Sequence, residues 1–99
     1  MTKGYWINTF TAVHDHDKLQ AYIELAGPAM EEAGGRFLAR GDAVHVLENA
    51  TPGRTTLIEF PSTDAAAAAY QSAGYQAALA ALGDGAEREI RILEGLPDA

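Results

Sequence analysis

Arg36 and Arg40 stand in the stretch GGRFLARG, residues 34–41, of a chain with formal net charge -7, and they are two of its five arginines. A guanidinium presents planar, paired donors that match a carboxylate bidentately, so two of them close together are candidates for reading an organic anion. In an extended segment residues four apart emerge on one face, which puts the two side by side. Glu59 lies between Ile58 and Phe60 in an apolar run, where a carboxylate needs a donor or takes up a proton. The sequence therefore leaves two roles open for the arginines, a structural ion pair with Glu59 or an anchor for a ligand. Arg40, beside the break at Gly41, is the one expected at the ligand. His45, whose imidazole can take up and release a proton, and Glu59 are the candidate catalytic proton carriers. Asn8, Tyr22 and Tyr75 supply an amide and two hydroxyls that could line a mostly apolar binding cleft with Trp6 and Tyr70.

Other chemistry is weakly represented. His14 and His16 flank Asp15 in the run HDHD, residues 14–17. Two imidazoles and two carboxylates could ligate a divalent cation, but residues two apart at a helix start point in different directions. A polar loop and helix cap is the expected reading, with no metal site. There is no nucleophile elbow, P-loop or GxGxxG motif, so no cofactor is expected, and any catalysis would be acid–base work on an activated small molecule. The chain has no cysteine, hence no disulfide or thiolate chemistry, and its composition suits a cytoplasmic protein. Fourteen acidic residues against seven basic ones leave no basic stripe for nucleic acid. No apolar run approaches the ~18 residues of a membrane span.

The elements that must position these groups follow from pattern. GYWINTFTA, residues 4–12, is aromatic and β-branched and reads as a strand. Leu19, Tyr22, Ile23, Ala26, Met30 and Ala33 trace one face of a helix capped by Asp15 or Asp17 and ended by Gly34. Strands are expected at 36–40, at 43–48 and at 54–60. Ser62 or Thr63 caps the alanine-rich helix that follows, and Ser72 with Gly74 divides it in two. REIRILEG, residues 88–95, is the last strand. The order β-α-β-β-α-β over residues 1–99 is the single-domain, ferredoxin-like α+β arrangement, an antiparallel sheet with helices on one face. Trp6, Phe10, Ile58 and Phe60 are read as making both sheet faces apolar, so a homodimer is expected to cover the open one.

GYWI at 4–7, Asp15, GGRFLARG at 34–41, VLE at 46–48, IEFPS at 58–62, AYQSAGYQAA at 69–78 and LEG at 93–95 together resemble the DUF1330 family of the dimeric α+β barrel superfamily. The resemblance implies a ferredoxin-like dimer and a cleft between helices and sheet. It implies no settled activity, because the superfamily includes cofactor-independent monooxygenases and isomerases as well as proteins without known catalysis. Three functions are therefore carried forward. One is the binding of a small, anionic organic molecule by Arg36, Arg40, Asn8, Tyr22 and Tyr75. The second is a cofactor-independent enzyme, and the third a non-catalytic structural or stress-related dimer with a filled interior. One departure from the resemblance is Ala69, where relatives often carry a large aromatic residue; it implies either a more open cleft wall or closer packing on the sheet.

Overall fold

The structure, a computed structural model, describes residues 2–97. Four strands and three helices follow in the order β1 (Gly4–Val13), α1 (His16–Glu32), β2 (Arg36–Asp42), β3 (Arg54–Phe60), α2 (Thr63–Gln71), α3 (Ala73–Leu82) and β4 (Ala86–Glu94). The strands form one sheet in the order β2-β3-β1-β4, with every neighbouring pair antiparallel. This is the ferredoxin-like topology, and the helices cover one face only. No helix among the described residues is long and apolar enough to cross a membrane.

Local chemistry sets the boundaries. The Asp15 carboxylate accepts from the Asp17 and Lys18 amides at 3.0 and 3.1 Å, satisfying donors that the first turn of α1 leaves orphaned. Gly34, at φ 98°, turns the chain out of α1, a conformation that costs any residue with a Cβ. A Cβ on the next residue, Gly35, would come within 2.9 Å of Ile58 and Phe60, so glycine is also what lets β2 start tight against the core. The alanine run divides at Ser72, whose hydroxyl donates to the Ala69 carbonyl at 2.7 Å and accepts from the Tyr75 amide at 3.3 Å. That switch of direction aims Tyr75 into the core.

Register sorts the side chains between the two sheet faces. Trp6 pairs with Ile58 and Ile92, and Asn8 with Thr56 and Ile90. These residues, with Phe10 and Phe60, face the helices. Trp6, Phe10, Tyr22, Met30, Ile58, Phe60, Tyr75 and Leu82 make the buried core. The four residues expected to make both faces apolar, Trp6, Phe10, Ile58 and Phe60, thus all lie on one face, because each pair is two or four residues apart. The open face has apolar groups of its own: Tyr5, Ile7 and Leu57 are half-buried, and Leu93 is 48% exposed.

The strand expected at 43–48 does not form. Residues 43–53 are a loop with Val44 89% and Leu47 74% exposed. β3 is already flanked by β2 and β1, so this segment has no ladder to join there, and strand-like composition without a partner edge yields no strand.

Candidate functional site

One extra residue decides where the two arginines go. Along β2, Arg36 pairs with Glu59 and Phe37 with Ile58, but the next pair is Ala39 with Leu57, so Leu38 is a bulge. Beyond it the alternation is inverted, and Arg40 pairs with Thr56 on the helix side while Arg36 stays on the open side. The expectation that the two share a face is therefore wrong. Arg36 Nη2 lies 3.6 Å from Glu59 Oε1, which also accepts from Lys3 Nζ at 3.3 Å. Arg36 is a structural partner of Glu59, not a cleft residue.

Arg40 instead stacks over the Phe37 ring, 4.7 Å from its centroid, at the mouth of a cleft between α1, α3 and the sheet. The cleft encloses a cavity of ≈ 40 Å³, room for a few water molecules, and widens to ≈ 440 Å³ of free space when its open mouth is counted. Its walls are Trp6, Phe10, Phe37, Ile58 and Met30, and its polar groups are Asn8, Tyr22, Tyr75, Thr56, Arg40 and Arg54. An apolar slot with a few convergent polar groups is the ordinary form of a small-molecule site.

Asn8 lies on the floor, 3% exposed, and its Oδ1 is buried without a hydrogen-bond partner among the described residues. Such an atom costs about 1–3 kcal/mol relative to a satisfied one. The same-face neighbours of Asn8 hold the tyrosines. Trp6 packs edge-on against Tyr75 at 5.3 Å between centroids, and Phe10 against Tyr22 at 6.1 Å. The two hydroxyls are 2.8 Å apart, and Arg88 Nη1 donates to Tyr22 Oη while its guanidinium lies over the Tyr22 ring. Burial pushes the Tyr75 phenol well above its ordinary value, and the adjacent Tyr22 adds to the rise. Tyr75 is thus a neutral hydrogen-bond donor and not a base.

Charge is distributed unevenly about this cleft. Lys3 and Arg36 contact Glu59, Lys18 contacts Asp84 and Arg91 contacts Glu89. Arg40, Arg54 and Arg88 have no carboxylate within 4.0 Å among the described residues, and all three face the helix side of the sheet. Unpaired guanidiniums in a protein with twice as many acids as bases mark where an anion would be welcome.

Of the residues expected at the site, the structure brings together Asn8, Tyr22, Tyr75 and Arg40. It separates Arg36 and Glu59, which project from the opposite sheet face, and His45, which lies in the exposed loop after β2 and not in a strand. Neither His45 nor Glu59 lines the cleft, so neither is positioned there as a proton carrier. Tyr70 packs against Trp6 at 5.9 Å, outside the cleft walls. Ala69 is 1% exposed and packs on the core; it does not open the cleft. His14 contacts Glu87 at 2.8 Å, and no group of three metal-ligating side chains occurs among the described residues. Arg54 and Arg88 carry a signal in the sequence: Arg54 shares parity with Ile58 and Phe60, and Arg88 with Ile90 and Ile92, so each falls on the apolar face of its own strand.

A family profile described as "Domain of unknown function (DUF1330)" matches residues 3–96. The chain belongs to the DUF1330 family. Among solved structures, this DUF1330 chain is similar to a Rhodopseudomonas palustris protein of unknown function, at TM-score 0.73 and 16% identity over 98% of this chain and 85% of that one. It is similar to SnoaB, a cofactor-independent oxygenase from Streptomyces nogalater, at TM-score 0.68 and 12% identity over 99% and 97%. A dimeric ferredoxin-like protein of unknown function from Thermobifida fusca matches at TM-score 0.67 and 15% identity over 94% and 91%. At these identities the likeness is one of fold. No curated protein sequence matches the chain.

Proposed function

We propose that this DUF1330 protein binds a small organic anion in the cleft between α1, α3 and the sheet, and that it does so as a homodimer. The observation that carries the reading is the pair Arg40 and Arg54, both on the cleft and both without a carboxylate partner among the described residues. Two guanidiniums above an apolar slot favour a molecule with a carboxylate at one end and an apolar body. The dimer is supported by the apolar open face, Tyr5, Ile7, Leu57 and Leu93, and by the dimeric description of the Thermobifida fusca neighbour.

Binding without acid–base catalysis fits better than an enzyme of oxygenase or isomerase type. The enzyme reading needs an imidazole or carboxylate at the substrate, and among the described residues neither lines the cleft. The purely structural dimer needs a filled interior with both arginines paired, which Arg40 and the cleft do not provide. Thermal unfolding with millimolar benzoate and succinate tests the reading. At least one anion is expected to raise the melting temperature of the native protein, and the rise is expected to vanish in Arg40→Met. A folded protein indifferent to both anions contradicts it.

A further inference from the structure

The polar groups of the cleft specify more than a negative charge. Asn8 Oδ1 lacks a donor. Tyr22 and Tyr75 carry two hydroxyl protons between them, and one suffices for the 2.8 Å bond that joins them. Tyr22 Oη already accepts from Arg88, so the other proton has no acceptor in the hydrogen-bond pattern of the described residues. The floor of the slot therefore offers an unused acceptor on Asn8 and an unused donor on the tyrosine pair, and Trp6 and Phe10, which flank Asn8 on the same face of β1, pack on Tyr75 and Tyr22. A hydroxyl group satisfies both at once, because it donates one hydrogen and accepts another.

The distance to the charged end is fixed by the sheet. Arg40, Thr56 and Asn8 are successive cross-strand neighbours on the helix side. Arg40 and Asn8 are thus two strand spacings apart, roughly 9.5 Å between backbones. With side chains reaching in from both ends, the span suits one flat ring. The walls between are aromatic and apolar, and the enclosed part is narrow. Resting on the anion-binding reading above, we infer that the ligand class is the hydroxyaryl carboxylic acids. The carboxylate is held at the mouth by Arg40 and Arg54, the ring lies in the slot, and the hydroxyl is read on the floor by Asn8 and the tyrosine pair.

Calorimetric titration of the native protein with 4-hydroxybenzoate, 3-hydroxybenzoate, benzoate, phenol and succinate tests this. At least one hydroxybenzoate is expected to bind ten-fold or more tighter than benzoate and than phenol, since a buried polar group left unpaired penalises the analogue that lacks its partner. In Asn8→Leu, which removes the acceptor at nearly constant volume, the preference for hydroxybenzoate over benzoate is expected to shrink at least five-fold. In Arg40→Met both are expected to weaken alike. If a resident water serves Asn8 instead, benzoate binds as tightly as either hydroxybenzoate and the inference is overturned. Binding of succinate alone also overturns it, yet leaves the broader anion reading standing. Absence of binding by any carboxylate to the folded protein removes both.

Discussion

The two faces of the sheet are built from alternate residues of the same strands, yet they treat charge in opposite ways. On the open face each cation has a carboxylate: Glu59 serves Lys3 and Arg36, and Glu89 serves Arg91. On the helix face Arg40, Arg54 and Arg88 have none among the described residues, although Arg54 and Arg88 are half-buried. Half-burial without a counter-ion is less favourable for Arg54 and Arg88 than full hydration, while Arg40 stays exposed at the mouth of the cleft. Aromatic rings moderate that cost, Phe37 under Arg40 and Tyr22 under Arg88. On the proposed function, the difference assigns contact to the open face and capture to the helix face.

The largest expected effect would break the helix face outright. Trp6→Ala removes a 1%-exposed indole that touches Phe60, Tyr70 and Tyr75, and it is expected to cost about 3–5 kcal/mol in chemical denaturation. Next comes the open face. Leu57→Lys puts a charge among Tyr5, Ile7 and Leu93, and light scattering is expected to show the proposed dimer falling to a monomer without loss of the fold.

Asn8→Leu sharpens the comparison because its sign is unusual. If Asn8 is kept for a ligand, removing its orphaned oxygen is expected to stabilise the unliganded protein by about 1–3 kcal/mol; a structural role requires the opposite. A smaller effect is expected at high pH. Because burial raises the Tyr75 phenol above its unfolded value, the neutral form stabilises the fold fully below about pH 10. That contribution is lost as pH rises further towards the folded value. Tyr75→Phe is expected to flatten the alkaline limb of a stability–pH curve while leaving the neutral region nearly unchanged.

The fold was legible because its signals are local. Alternation marked β1, β3 and β4, Asp15 and Ser62 marked helix starts, and Gly34 and Ser72 marked the turns. The site was legible only in part. Asn8, Tyr22, Tyr75 and Arg40 carry their chemistry in their residue type and position. The bulge at Leu38 leaves no trace in composition, and a one-residue shift reverses every face beyond it, so Arg36 and Arg40 read as companions. His45 was misplaced because Val44 and Val46 look like strand residues, whereas strand formation depends on a free partner edge elsewhere in the chain.

The claim that the helix face alone captures the anion is best tested by matched pairs of substitutions. Calorimetric titration of 4-hydroxybenzoate into Arg40→Met/Arg54→Met and into Arg36→Met/Arg91→Met compares the faces at equal change of charge. The first pair is expected to lose at least ten-fold in affinity and the second less than two-fold. Equal losses in the two variants would show that net charge, not the cleft, holds the ligand, and would contradict the account.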